Sequence, residues 1–197
     1  MYPLIRNRRL RNSNAIRHLV RETILTPSDF LVPLFVVEGK GVREEISSMP
    51  NYYRLSLDNL EKEVKELWNM GLCAVLLFVK VPDNLKDNAG SEALNDHGLM
   101  QLAIKTVKNT CPDMLVMTDV AMDPYSSYGH DGIVADGQIL NDETVEVLAE
   151  MSVSHAKAGA DFVAPSDMMD GRILSIREAL EDEGYTNTGI MSYSAKY

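Results

Sequence analysis

The side chain with the widest choice of chemistry in this sequence is Lys196, in the closing run Met191-Ser192-Tyr193-Ser194-Ala195-Lys196-Tyr197. The run reads as a β-strand, in which side chains alternate between two faces. Ser192, Ser194 and Lys196 then share one face, and Met191, Tyr193, Ala195 and Tyr197 share the other. Two readings stay open for Lys196. It is a solvated lysine at a strand end, or it is an amine held in a water-poor pocket. Burial disfavours the ammonium and lowers its pKa. The neutral amine that results can form a Schiff base with a carbonyl substrate.

A second cluster runs from Thr118 to Gly132. Asp119, Ala121 and Asp123 share strand parity, and His130 and Asp131 follow between Gly129 and Gly132. Carboxylates gathered at one strand end can hold a hard cation through oxygen. They can also tune one another for proton transfer. The plainer alternative is a polar turn, where Asp and Gly are common. A third run, Ala164 to Arg172, offers Ser166 or Asp167 as a cap for the following helix. The carboxylates of this run could also orient a substrate ammonium, while Met168 and Met169 fill space. His18, His97 and His155 read as surface or packing residues.

These side chains need elements to place them. Leu31–Val37 is a continuous apolar run suited to a strand buried on both faces, although Pro33 is unusual inside a central strand. Further strands are expected at Cys73–Val79, Met114–Val120, Phe162–Pro165 and the lysine run. Between them lie amphipathic helices. Leu57, Leu60, Val64 and Leu67 mark the first, after Ser56 or Asp58 as cap. Leu99, Leu102, Ala103 and Val107 mark the second, which stops before Pro112. Val145, Leu148, Ala149 and Ser152 mark the third, capped by Asn141 or Asp142 and ending near Gly159. Ile173, Ile176 and Leu180 mark the fourth, which Gly184 ends. Strands alternating with helices predict parallel β/α units. Polar residues gather just after each strand: Glu38, Lys80, Asp119 to Asp131, Ser166-Asp167 and Lys196. That edge is where a (β/α) barrel builds its active site. A doubly wound sheet uses the same edge but usually carries a glycine-rich phosphate loop, and neither GxGxxG nor GxxxxGK[ST] occurs here.

The chain has 197 residues, 45% hydrophobic and 24% charged, which fits one globular domain. Its net charge of -10 argues against nucleic acid or an anionic membrane as partner. No apolar run approaches the ~20 residues of a transmembrane helix, and the start lacks a secretory h-region. Cys73 and Cys111 have no metal-like spacing, so a reducing cytoplasm is the expected location. Residues 1–22 form a basic arm with Arg6, Arg8, Arg9, Arg11, Arg17 and Arg21, and residues 23–197 form the domain. The arm is either solvated or grips an acidic neighbour, most simply another copy of this chain.

Taken in order, these segments resemble the porphobilinogen synthase family, also called 5-aminolevulinate dehydratase. The likeness includes Arg8-Arg9-Leu10-Arg11, Leu19 to Thr23, Pro33 to Val36, Gly90-Ser91-Glu92, Thr118-Asp119-Val120 and Asp123-Pro124-Tyr125. It continues through Gly129-His130-Asp131-Gly132, Asn141 to Val145 and Ala158 to Asp161. It is most specific over Ala164 to Arg172 and Met191 to Tyr197. The resemblance implies a TIM (β/α) barrel with an N-terminal arm that embraces a neighbouring subunit, in a homo-oligomer that is an octamer in the intact family. It implies condensation of two molecules of 5-aminolevulinate to porphobilinogen, with loss of two waters, in tetrapyrrole and heme synthesis. Two lysines form Schiff bases in the family. Lys196 matches the first, and Asp119 matches the active-site aspartate. Ser166, Asp167, Ser192 and Ser194 are expected to line the substrate site.

Three departures stand out. Zinc-dependent members carry cysteines at the positions of Ala121, Asp123 and Asp131. Zinc is therefore not expected at the active site; the expectation is a hard ion such as Mg²⁺, held by Asp123 and Asp131, or no ion at this spot. Tyr128 stands where histidine is usual. The chain also offers five strands against the eight, in roughly 250 residues, of a whole barrel. The family's second lysine, its carboxylate-binding arginines and its allosteric magnesium ligand fall after the position of Tyr197. The expectation is thus an incomplete barrel that does not make porphobilinogen by itself. The alternatives are a Schiff-base lyase of the class I aldolase kind and a non-catalytic, self-assembling barrel fragment.

Overall fold

The computed structural model describes residues 1–129 and 132–195. Asp131 and Lys196, with His130 and Tyr197, lie outside the described residues. The expected apolar runs become strands β1 (Leu31–Val37), β4 (Ala74–Lys80), β5 (Leu115–Val120) and β8 (Phe162–Pro165). The expected amphipathic segments become helices α2 (Leu57–Asn69), α3 (Leu99–Thr110), α4 (Asn141–Ala158) and α5 (Arg172–Asp182). Short strands that periodicity does not reveal are β2 (Arg43–Glu45) and β3 (Tyr53–Leu55), and a hairpin of β6 (Ile133–Ala135) and β7 (Gln138–Leu140). The sheet has seven strands in the order β2-β3-β1-β4-β5-β8-β9, where β9 is Gly189–Ile190. The long strands β1, β4, β5 and β8, with β9 after them, lie side by side in chain order and pair in parallel, while the short β3 pairs in parallel with the other side of β1. The long strands keep one order, without the switch point of a doubly wound sheet, so the sheet is an open, incomplete (β/α) barrel.

Strand parity sorts the apolar side chains between two layers. Leu34, Val36, Val75, Leu77, Val116, Val120 and Val163 face α2 to α5 and form the main core with Leu60, Ile104, Leu148 and Ile176. The opposite parity forms the inner face of the barrel. There Leu76, Met117 and Ala164 make a separate small core, flanked by Phe78 and Phe162. Register aligns Pro33, Leu76, Met117, Phe162 and Gly189 in one row across this face. Pro33 is tolerated because β3 begins too late to pair with it. Its carbonyl instead accepts from the Tyr52 hydroxyl, on the side where the missing N–H would have pointed.

The closing strand differs from expectation. Regular pairing ends at Ile190, and Met191–Ala195 is exposed. Two ladder bonds still hold this segment to β8: Met191 N–H donates to Val163 O at 2.9 Å, and Tyr193 N–H donates to Pro165 O at 3.3 Å. Because Gly189 pairs with Phe162, this parity carries Met191 and Tyr193 toward the inner face rather than Ser192 and Ser194.

In the arm, a short helix, α1 (Asn14–Leu19), is capped by Ser13 Oγ, which accepts from Ile16 N–H at 3.2 Å. Neither this helix nor the 3-10 turn Asn7–Arg11 buries a residue. No helix among the described residues is long and apolar enough to cross a membrane.

Candidate active site

The inner face opens into a cleft at the C-terminal ends of the strands, with a volume of about 450 Å³. One row of side chains builds its floor. Arg54 on β3 pairs with Phe35 on β1, and Phe35 pairs with Phe78 on β4. One step beyond the Leu77–Thr118 pair comes Asp119, which pairs with Ala164. The Phe35 and Phe78 rings stack with centroids 5.2 Å apart. The wall above holds Lys80, Ser166 and Tyr193, with Lys86 and Asp123 from the loops.

Asp119 and Ser166 meet here. The Ser166 hydroxyl donates to Asp119 Oδ1 at 2.7 Å. Asp119 is only 8% exposed, so its carboxylate is mostly shielded from water while it faces the cleft. A partly desolvated carboxylate with a fixed donor can accept a proton from, or hold, an ammonium or a protonated imine. Ser166 is therefore not the cap of α5, as the sequence suggested it could be. Gly171, at φ 82, occupies the N-cap position instead, a conformation that suits glycine.

Asp167 is not among the residues that line this cleft. Its Oδ1 accepts from Met169 N–H at 2.7 Å, and its Oδ2 lies 3.1 Å from Arg172 Nε, with the Asp167 side chain fully buried. These bonds shape the loop that carries Ser166. Asn141 adds to this. It leaves the N-cap position of α4 to Leu140 and bonds Asp170 instead, accepting from Asp170 N–H at 2.8 Å and donating to Asp170 O at 3.2 Å. Ser192 and Ser194 are exposed and do not line the cleft. Asp123 does line it. Among the described residues no three His, Cys, Asp or Glu side chains cluster closely enough to hold a metal ion. The described residues alone do not make a metal centre.

Two buried polar side chains flank the site. Tyr125 is 3% exposed; burial, and then the charges of Asp119, Glu92 and Asp123, push its phenol pKa well up, so it stays protonated. His155 packs behind β5, with Nδ1 3.0 Å from Thr118 Oγ1, and burial lowers its pKa to about 3. The reading of His155 as a packing residue holds. Arg54, Lys86, Phe35, Phe78 and Tyr193 are cleft residues that sequence reasoning did not select, whereas Lys80 was among the polar residues gathered at the strand ends. The signal for Phe78 was present, since it shares parity with Lys80 on β4.

The family model described as delta-aminolevulinic acid dehydratase matches residues 4–197. The delta-aminolevulinic acid dehydratase of Bacillus subtilis is 50% identical over 98% of this chain and 59% of its own length. That of Methanothermobacter thermautotrophicus is 49% identical, over 100% of this chain and 60% of its own length. Among solved structures, the chain superposes on Toxoplasma gondii delta-aminolevulinic acid dehydratase (porphobilinogen synthase), determined in complex with the reaction product porphobilinogen. The TM-score is 0.93 at 48% identity, covering 98% of this chain and 55% of that one. The chain thus spans somewhat over half the length of the relatives it matches. With the parallel strand order and the Asp119–Ser166 pair in place, the conclusion is that this chain belongs to the delta-aminolevulinic acid dehydratase family.

Proposed function

We propose that this chain supplies active-site residues of a hydro-lyase that condenses two molecules of 5-aminolevulinate to porphobilinogen, releasing two waters, on the route to tetrapyrroles. The observation that carries this reading is the Asp119–Ser166 pair, held at 2.7 Å in the cleft at the strand C-termini. In a barrel this edge is the catalytic one. Lys196 is the proposed nucleophile. The lone pair of its neutral amine attacks the ketone carbon, the two amine protons pass in turn to the former carbonyl oxygen, and the C–O bond breaks to release water as the C=N bond of the imine forms. Asp119 is the proton acceptor of the site, and Ser166 holds its carboxylate in position.

Mg²⁺ rather than Zn²⁺ is the metal we favour if one is bound, because aspartate oxygens are hard donors. Asp123 and Asp131 are the proposed donors, and no step is assigned to the ion. Self-association is proposed through the arm. Leu4, Ile5, Leu10 and Leu19 are exposed there beside its arginines, and the rest of the chain is acidic. A cytoplasmic location is proposed from the two free cysteines.

The test is borohydride reduction in the presence of 5-aminolevulinate, with peptide mass mapping. A reduced adduct on Lys196 supports the reading. An adduct formed with aldol substrates but not with 5-aminolevulinate favours an aldolase-like lyase instead.

A further inference from the structure

The loop after β4 is joined to the segment after β5 by a seam of hydrogen bonds from two consecutive residues. Asp87 N–H donates to Tyr125 O at 3.2 Å, and Ser127 N–H donates to Asp87 O at 3.0 Å. Asn88 Nδ2 donates to Val134 O at 2.9 Å, and Asn88 Oδ1 accepts from Val134 N–H at 2.9 Å. The seam starts one residue beyond two wall residues of the cleft, Lys86 and Pro124. It therefore sets how far the Lys86 wall stands from the wall of Asp123 and Pro124.

The two halves of the seam make different demands on the sequence. The Asp87 bonds use main-chain groups that every residue except proline carries. The Asn88 bonds need a side chain with a donor and an acceptor side by side, which a carboxamide has. Val134 pairs with Ile139 on β7, and its own N–H and C=O are taken up by Asn88. The Asn88 amide thus stands in for a third strand beside the hairpin. Behind the seam, Ser91 N–H donates to Asp87 Oδ1 at 3.0 Å and closes the loop on itself. Gly90, buried at φ 67, packs so tightly there that a Cβ would lie 2.6 Å from Met122 Cε. Packing fixes the loop to the end of β5, and Asn88 carries that order on to the hairpin.

We infer that Asn88 is a positioning residue that sets the size of ketone the cleft admits. Its amide locks the segment from Tyr125 to Val134 onto the loop after β4 and so holds the cleft at the width of a short keto acid. The inference rests on the function proposed above and adds to it a control on substrate length.

The experiment compares the 197-residue chain with its Asn88→Ala variant on two keto acids of equal carboxyl-to-ketone spacing. 4-Oxopentanoate ends in a methyl group and 4-oxononanoate in a pentyl chain. Borohydride-trapped adduct on Lys196 is measured against the concentration of each. The ratio of the two half-trapping concentrations is the readout, because a loss of folded protein cancels in it. The expected result is that the parent prefers the shorter acid and that N88A loses about tenfold of this preference. A parent without preference, or an unchanged ratio in N88A, overturns the inference and leaves the proposed function standing. An absence of adduct in the parent sinks the proposed function. The two acids are then compared by ligand-observed NMR without borohydride. A smaller preference in N88A supports the inference, and an equal preference or no binding overturns it. Amide hydrogen exchange tests the lock itself. Val134 and Ser127 N–H should both exchange faster in N88A; a Ser127 N–H as protected as in the parent overturns the inference.

Discussion

Gly189 is the position where a single methyl group should do the most damage to the cleft. A Cβ at this residue would lie 2.2 Å from Phe162 Cε1, 2.5 Å from Cδ1 and 2.8 Å from Cζ. These distances are far inside carbon–carbon contact, near 3.5–4.0 Å, so the ring or the strand must move. Phe162 is packed against Leu76, Met117 and Ala164 in the inner core, and Gly189 is in register with it. Overpacking of this kind costs about 1–3 kcal/mol. Gly189→Ala should therefore lower unfolding stability by ~2 kcal/mol in urea titration followed by circular dichroism. Shortening the ring partner should return part of the loss. In the double variant Gly189→Ala/Phe162→Leu, the two changes should couple by about 1–2 kcal/mol in the favourable sense. The same shift displaces the segment that carries Tyr193, so trapping of 5-aminolevulinate should weaken in the single variant and recover in the double. A Gly189→Ala chain as stable as its parent, or a double variant whose losses simply add, would refute this packing argument.

Two further outcomes follow from buried polar groups. His155 stays neutral in the folded chain down to about pH 3, whereas the unfolded chain protonates it near pH 6.5. Its contribution is complete above pH 6.5 and declines as the pH falls toward 3, by ~1.4 kcal/mol per pH unit for one proton. The His155→Gln chain should thus lose stability less steeply than the parent between about pH 6 and pH 4.5; parallel slopes in denaturant titrations would contradict this. Asp167→Ala strips Arg172 of its ion-pair partner and Met169 N–H of its acceptor, and should cost ~3 kcal/mol. Asp167→Asn retains an acceptor for Met169 and should cost less. A loss under about 0.5 kcal/mol for the alanine variant, measured the same way, would show that the pair does not hold the Ser166 loop.

Long apolar runs and amphipathic stripes are strong local signals, so β1, β4, β5, β8 and helices α2 to α5 were legible within a residue or two. Chain-order adjacency of parallel strands followed from the alternation alone. Strands β2, β3, β6 and β7 were not legible, because each has three residues and takes its stability from a partner rather than from its own pattern. Losing β3 meant losing Arg54 from the floor of the cleft. Asp119 and Ser166 were both singled out, but their mutual bond depends on β5 and β8 being neighbours. Asp167 shows the opposite limit. Sequence parity cannot reveal that this carboxylate ties down the adjoining loop, because Arg172 lies five positions on and is brought back only by the turn at Gly171. Ser192 and Ser194 were expected to line the substrate site. The register of β9 with β8 gives the inner face to Tyr193, and nothing in the closing run by itself reveals the register.

The most direct measurement is peptide mapping of the chain after borohydride reduction with 5-aminolevulinate, run beside the Asp119→Asn variant. One reduced adduct on the peptide bearing Lys196, markedly less of it in Asp119→Asn, and none with a ketone too bulky for a cleft of about 450 Å³ is the predicted result. Adducts scattered over surface lysines, or an Asp119→Asn chain that traps as well as its parent, would contradict the account.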